Sequence, residues 1–294
     1  MKFSVVIPSY NRAYTIRRPL DSLVRQSFKD FEVLVIDDGS VDDTEKVVRP
    51  YIGLLNLKYI KKENGGKHTA LNKGISEAKG ELFIILDSDD EFYDDTLEKM
   101  NGIWNSVADK SNICGIMCRC SENGKLIGAP FPEGMKQISY VEFHFGKNGG
   151  IYKDCCECVR MDLMKQYHWP ENLPTRFVPE NYVFDQIGLR YKLLCFNDIR
   201  EKKVYYASDG ITLNNDEFTK KNFAGYLFNI VSKVDDIVPY TKEISLRTKI
   251  GIWEEYWNLI DKDVNNYGIR SKHITILGYL AYLKRGIKRI IGRA

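Results

Sequence analysis

Phe83-Ile84-Ile85-Leu86-Asp87-Ser88-Asp89-Asp90 is the stretch on which the reading of this chain turns. A short apolar run stops abruptly in three carboxylates. Such a run with polar flanks reads as a strand buried on both faces, and it delivers the three acids to the rim of the sheet. In open α/β sheets, ligands bind just outside the carboxyl ends of the strands. Asp87 and Asp89 are two apart, so an extended chain presents them on one face. Three acids this close repel one another unless a cation or a donor compensates, and a hard divalent metal with oxygen ligands is one compensator. Taken alone, the tetrapeptide reads first as a solvated acidic loop with a helix N-cap. The surrounding chain decides.

Upstream, Phe3, Val5, Val6 and Ile7 form an apolar run that ends in Pro8-Ser9-Tyr10-Asn11, and a helix carrying Leu20, Leu23 and Val24 comes next. Phe31–Ile36 is a second strand, ended by Asp37-Asp38-Gly39-Ser40. A helix starts at Thr44, and Leu57–Ile60 is a third strand, succeeded by the Gly65-Gly66-Lys67 loop. A helix over Thr69–Ala78 closes at Gly80, a residue suited to the left-handed conformation past a helix end. Strands alternating with helices predict a mostly parallel, Rossmann-like sheet with right-handed crossovers. That order places Asp37 and Asp38 on the same rim as Asp87 and Asp89, and this convergence favours a ligand site over a solvated loop.

Downstream, Asp94 and Asp95 lead a helix as an acidic cap, and Ile113–Met117 is a further strand. The region 120–150 reads as irregular. Asp154–Val159 leads into a helix over Met161–Tyr167, Val183–Leu194 has a helical pattern, and Lys203–Tyr206 reads as a strand. From Phe218 the pattern is helical to the end.

The chain has 294 residues, 44% hydrophobic and 28% charged, the composition of an ordinary soluble domain with an appendage. No long apolar span and no signal-peptide pattern is visible, and seven cysteines fit reduced thiols, so a cytoplasmic location is expected. Cys118-x-Cys120 and Cys155-Cys156-x-Cys158 are tighter than usual zinc spacings, so buried free thiols are expected over a metal site.

Four features in register carry a resemblance: Val5-Val6-Ile7-Pro8-Ser9-Tyr10-Asn11, Val35-Ile36-Asp37-Asp38-Gly39-Ser40, Asn72-Lys73-Gly74-Ile75 with Ala78-Lys79-Gly80, and Leu86-Asp87-Ser88-Asp89-Asp90. Together they resemble the bacterial family 2 of inverting glycosyltransferases, which have a GT-A fold. The resemblance is strong over residues 1–100, partial over 150–210 and absent in the tail. It implies a nucleoside-diphosphate sugar donor, UDP-linked by preference, Mn²⁺ or Mg²⁺, and a hydroxyl on a glycan or lipid-linked acceptor of cell-envelope or capsule type. The expected division is residues 1–105 as the donor half, 106–215 as the acceptor half of the same domain and 216–294 as a helical C-terminal extension. By position, Asp38 matches the acid at the base edge, with Pro8, Ser9 and Tyr10 lining the nucleotide pocket. Asp87 matches the ribose-side acid, with Ser88 beside it, Asp89 the metal ligand, and Asp90 a group near the sugar hydroxyls. Lys67 either adds positive charge at the diphosphate or is a solvated loop lysine.

An inverting transfer needs one base opposite the leaving group. Many relatives carry Glu-Asp there; this chain has Pro179-Glu180-Asn181, with Asp185 further on. Glu180 is the expected base and Asp185 the reserve; the alternative for Glu180 is a helix cap. Asp154 and Glu157 face either the acceptor or solvent. Two other classes stay open. A nucleotidyltransferase wants a basic, Gly-rich phosphate loop after the first strand, which is lacking, and a silent sugar-nucleotide-binding protein has no need of the acids present.

All 40 acids lie at or before Asp263, whereas Arg270, Lys272, Lys284, Arg285, Lys288, Arg289 and Arg293 come after it. Ile276, Leu280, Leu283, Ile287, Ile290 and Ile291 share helical spacing, so 270–294 reads as a basic amphipathic helix. It suits the inner face of an anionic membrane, or packs on the body with its charges solvated. Trp253, Tyr256 and Trp257 pack a helix onto the core or onto a second copy. Nucleic acid is not expected, because the acidic body offers no basic groove.

Overall fold

The computed structural model describes residues 1–147, 149–203 and 215–291. β1 (Phe3–Ser9), α1 (Arg17–Val24), β2 (Phe31–Asp37), α2 (Thr44–Val48), β3 (Leu57–Lys61), α3 (Lys67–Glu77) and β4 (Leu82–Ile85) succeed one another as the sequence predicts. β1 lies between β2 and β4, and β3 flanks β2, all parallel. Every residue of β1 and β2 is buried. Alternation sorts them: Val5, Ile7, Val33 and Val35 share a core with Leu20 and Leu23 of α1. Val6, Leu34 and Ile36 share the opposite one with Ala70, Leu71 and Ile75 of α3. Strands covered on both faces have no polar side to show, hence the continuous apolar runs.

Two local readings change here. α3 starts at Lys67, two residues early, with Gly66 at its N-cap at φ 97°, so Lys67 is a helical residue. Gly80 is not left-handed. A Cβ there would lie 2.6 Å from the Phe3 carbonyl carbon, so close approach to β1 is what requires glycine.

The sheet continues through β5 (Glu91–Phe92), α4 (Thr96–Ser106), β6 (Ile113–Glu122), β7 (Lys125–Leu126), β8 (Gln137–Ile138), α5 (Tyr140–Phe145), β9 (Cys155–Arg160), α6 (Met161–Met164), α7 (Asn181–Gly188) and β10 (Lys192–Lys203). Its order is β3-β2-β1-β4-β9-β6-β10-β5. β9 runs antiparallel to β4 and β6, and β10 parallel to β6, so this half is mixed.

This half departs further from expectation. Asp95 holds the N-cap position of α4 without capping it, because its carboxylate pairs with Arg200 at 2.7 Å. The region 120–150 is ordered: it holds β7, β8 and α5, the last closed by a capping box between Ser139 and Glu142. The helix read over Val183–Leu194 stops at Gly188, and from Lys192 the period changes from 3.6 to 2, with Leu193 and Cys195 buried between more exposed neighbours. Residues 204–206 of the strand read there lie outside the described residues. α6 ends at Met164, and Asp154–Val159 is mostly strand β9.

α8 (Asn215–Lys221), α9 (Phe223–Ser232), α10 (Leu246–Lys262) and α11 (Ile276–Ile291) form the helical extension. Leu227, Ile230, Val234, Ile237 and Trp253 build its core, joined by Val141 of α5. α11 lies on α10 through small residues. A Cβ at Gly278 would meet the Trp253 ring at 2.9 Å, Trp257 Nε1 donates to the Gly278 carbonyl at 2.9 Å, and Ala281 is fully buried. The aromatic residues of α10 therefore pack within the chain. α11 turns Ile276, Tyr279, Leu280, Leu283 and Ile287 to solvent. Among the described residues no helix is long and apolar enough to cross a membrane.

Candidate active site

The carboxyl ends of β1, β2 and β4 open on a cleft of about 1420 Å³. Pro8, Ser9, Tyr10, Asp38, Lys67, Asp87, Ser88, Asp89, Asp90 and Glu180 all line it, so the structure brings together every expected site residue except Asp185. The Ser9 hydroxyl is buried there without a partner among the described residues, whereas Tyr10 is exposed.

Asp38 is almost fully buried. Its Oδ1 accepts from Lys62 Nζ at 2.7 Å and from the Gly65 amide at 3.0 Å. Its Oδ2 accepts from the Gly66 amide at 2.6 Å. The acid thus holds the glycine loop against the end of β2. Gly66 in turn lies on the 174–177 segment, where a Cβ would sit 1.8 Å from the Arg176 carbonyl oxygen.

Lys67 stands at the centre. Its Nζ lies 2.6 Å from both Asp87 Oδ1 and Glu180 Oε1, and so ties the end of β4 to the start of α7. Burial lowers the proton affinity of its ammonium, but Asp87 and Glu180 together raise it above the ordinary value. Glu180 occupies the N-cap position of α7 without a side-chain cap bond, since its carboxylate is turned to Lys67. A second lysine, Lys203, lies 2.8 Å from Asp90, 2.7 Å from Glu201 and 3.7 Å from Asp87. Burial disfavours the charge on Asp87, yet Lys67 and Lys203 outweigh it and hold its carboxyl below the usual range. Burial raises Asp90 to about 7 despite Lys203.

Asp89 differs from its two neighbours. Among the described residues its carboxylate has no hydrogen bond or ion pair to another side chain. Burial and the adjacent Asp87 raise its proton affinity, so an added cation would relieve both. The described residues hold no cluster of three metal-ligating side chains. Mg²⁺-type sites formed by one or two carboxylates plus substrate phosphates need no such cluster. The donor set at Asp89 therefore fits a divalent metal that arrives with a diphosphate.

Asp185 does not line the cleft. It is 1% exposed, and its carboxylate lies 2.6 Å from His144 Nδ1 and 3.3 Å from Asn181 Nδ2. The structure thus places the reserve residue behind His144, apart from the residues that line the cleft. Glu157 lies in β9 and on the cleft wall, not in a surface turn. Tyr140 Oη donates to it at 3.0 Å, and burial raises it to about 7. Cys118 and Cys156 pair across β6 and β9, which makes the two cysteine clusters neighbours. All seven thiols are free, and burial raises those of Cys118 and Cys156.

Lys203, Glu201, His144 and Tyr140 were missed. The Glu201-x-Lys203 alternation at a strand end marks the first two. The Ser139-x-x-Glu142 capping box would have placed Tyr140 and His144 on one face of a helix.

The family model described as glycosyl transferase family 2 matches residues 4–162. An uncharacterized glycosyltransferase of Rickettsia prowazekii is 40% identical over 114 residues, 38% of this chain and 35% of that protein. The poly(ribitol-phosphate) beta-N-acetylglucosaminyltransferase TarS of Staphylococcus aureus is 41% identical over 102 residues, 33% of this chain and 18% of TarS. The match thus spans about a third or less of the length of these relatives. Among solved structures, residues 1–349 of S. aureus TarS in complex with UDP-GlcNAc superpose with a TM-score of 0.64 at 20% identity, over 97% of this chain and 79% of that one. A mannosyltransferase of Pyrobaculum calidifontis in complex with GDP-Man and Mn²⁺ gives 0.57 at 16% identity, over 98% and 80%. These structures share the GT-A fold with this chain.

Proposed function

The chain belongs to glycosyl transferase family 2, and from that premise we propose that it moves a sugar from a nucleoside-diphosphate sugar, UDP-linked by preference, to a hydroxyl of a glycan or lipid-linked acceptor. The observation that carries this reading is Lys67, which holds Asp87 and Glu180 within 2.6 Å of one ammonium. It joins the donor acids at the end of β4 to a base candidate at the start of α7. Residues 1–105 form the donor half, 106–215 the acceptor half and 216–294 the extension.

The nucleotide lies along the ends of β1 and β2, against Pro8, Ser9, Tyr10 and Asp38. Asp87 and Ser88 face its ribose side, and Asp90 the donor sugar. Asp89 would hold Mn²⁺ or Mg²⁺, which would supply Lewis-acid stabilisation of the leaving group. Lys67 adds a fixed positive charge beside it. Glu180 takes the proton of the acceptor hydroxyl as its oxygen bonds to the anomeric carbon. The carbon–oxygen bond to the diphosphate breaks in the same displacement, so the configuration inverts. The UDP-GlcNAc complex of TarS supports a UDP donor, and the Mn²⁺ complex of the mannosyltransferase supports the metal.

Nucleotide release is measured with UDP- and GDP-sugars and Mn²⁺ over a panel of methyl glycosides, and the product anomer is read by NMR. Release of nucleoside diphosphate with an inverted glycoside is expected. Release of pyrophosphate would indicate a nucleotidyltransferase, and binding without turnover a silent binding protein.

The exposed stripe of α11 supports a second proposal: peripheral contact with an anionic bilayer at the inner face of the membrane. Ile276 and Ile287 are 81% and 57% exposed, which suits the acyl boundary of a bilayer, whereas Arg270, Lys284 and Arg285 pair with Asp263, Glu254 and Asp261 of the same chain.

A further inference from the structure

Asp185, buried and apart from the cleft lining, has a partner on the cleft wall. His144 lies in the last turn of α5, lines the cleft with Tyr140, Glu157 and Glu180, and keeps a quarter of its side chain exposed. Its Nδ1 lies 2.6 Å from Asp185 Oδ1. A carboxylate only accepts hydrogen bonds, so Nδ1 donates, and the neutral ring keeps its lone pair on Nε2. Among the described residues Nε2 has no partner.

Aromatic neighbours hold the ring. Phe143 and Tyr140 pack against it at centroid distances of 5.2 and 6.1 Å, and Tyr140 stacks on Phe184 of α7 at 4.8 Å. Behind it, Asn181 Nδ2 donates to Asp185 Oδ2 at 3.3 Å, and Asn229 Nδ2 of α9 donates to Asn181 Oδ1 at 3.2 Å. A chain of hydrogen bonds therefore runs from the helical extension through α7 to one imidazole at the cleft. An oriented imidazole with one open nitrogen, on the same cleft as the base candidate, is a preorganised hydrogen-bond acceptor.

We propose that His144 is a binding residue for the acceptor: its Nε2, left as the acceptor atom of the neutral ring when Nδ1 donates to Asp185, receives a hydrogen bond from a hydroxyl of a polyhydroxylated acceptor, and Asp185 is its positioning residue. This rests on the glycosyltransferase reading and deepens it by naming an acceptor-side contact on this chain. His144 does not take up the reaction's proton; Glu180 does.

Two measurements test it. Long-range ¹H–¹⁵N NMR on histidine-labelled protein reads the tautomer directly among four histidines. Proton on Nδ1 and a lone pair on Nε2 are expected, with Asp185→Asn shifting that balance. A proton on Nε2 in the unaltered protein overturns the proposal. The second compares His144→Phe, which keeps the ring packing, with His144→Gln, which returns an oxygen lone pair. For the best methyl glycoside, the Phe variant should lower kcat/KM at least tenfold through the acceptor KM, with donor KM and Tm unchanged. The Gln variant should recover most of the loss. Equal behaviour of the two variants, or a change in donor KM, contradicts the proposal. If the unaltered protein turns over no nucleotide sugar, the transferase reading fails, and the tautomer still decides the His144–Asp185 pairing.

Discussion

On the parallel half of the sheet, the acids of the site stand where strands end. Asp38 comes after β2, and Asp87, Asp89 and Asp90 come after β4. On the mixed half, Glu157 and Glu201 sit inside β9 and β10, and Glu180 precedes α7. Acids past a strand end meet loop amides and lysines: Gly65 and Gly66 donate to Asp38, and Lys67 and Lys203 hold Asp87. Acids inside a strand between two others meet little water, and burial raises both Glu157 and Glu201. On the first half Asp87 is held low by its two lysines, beside two acids that burial raises; on the second, burial raises Glu157 and Glu201 alike. Lys67 and Lys203 join the two halves.

The sharpest way to break this division of labour is at Glu180. Glu180→Gln should lower kcat by about 10²–10⁴, with nucleotide affinity by calorimetry unchanged. A fall in donor affinity equal to the fall in kcat would move Glu180 into the donor half. Next is the contact between the halves at Gly66. Gly66→Ala has to place a Cβ 1.8 Å from the Arg176 carbonyl at φ 97°. It should cost about 1–3 kcal/mol from backbone strain alone, seen as a lower urea midpoint. An unchanged midpoint would show that the halves do not meet there.

Glu157 tests the buried acids. Its folded pKa of about 7 lies above the ordinary 4.5, so between these values the folded state keeps a proton that the unfolded state releases. Stability therefore falls as pH rises through that window. Glu157→Gln should match the unaltered protein at pH 4 and exceed it by about 2–3 kcal/mol at pH 8. Equal stability at pH 8 would mean that the carboxylate is well solvated. The smallest effect belongs to α11. Leu280→Glu with Leu283→Glu should shift stability by only about 0.5 kcal/mol, as exposed sites do, yet release the protein from phosphatidylserine vesicles in a sedimentation assay. Undiminished vesicle binding would retire the membrane contact, and a change in oligomeric state would assign the stripe to a second copy.

The same contrast governs what was legible in the sequence. β1, β2 and β4 announce themselves because both faces are covered by helices, and their acids come next in register. β9 carries cysteines and Glu157, and it is a strand because β4 and β6 flank it; no local pattern states this. The Val183–Leu194 run kept enough apolar residues to hide the change of period after Gly188. Asp185 read as a possible base because its spacing from Glu180 is visible, while its enclosure behind His144 is a tertiary fact. The tail's apolar stripe was legible, but its outward direction depends on Gly278 and Ala281 being small enough to seat α11 on Trp253.

The central claim is that Asp89 and the ends of β1, β2 and β4 form a metal-dependent nucleotide-sugar site. Thermal shift with UDP- and GDP-sugars, with and without Mn²⁺, on the unaltered protein and on Asp89→Ala tests it most directly. Ligand at about 100 times Kd adds about 2.7 kcal/mol to the folded state. The account predicts that one nucleotide sugar raises Tm by several degrees only when Mn²⁺ is present, and that Asp89→Ala keeps its own Tm but loses this rise. The same rise in Asp89→Ala, or none with any nucleotide sugar and metal, would contradict it.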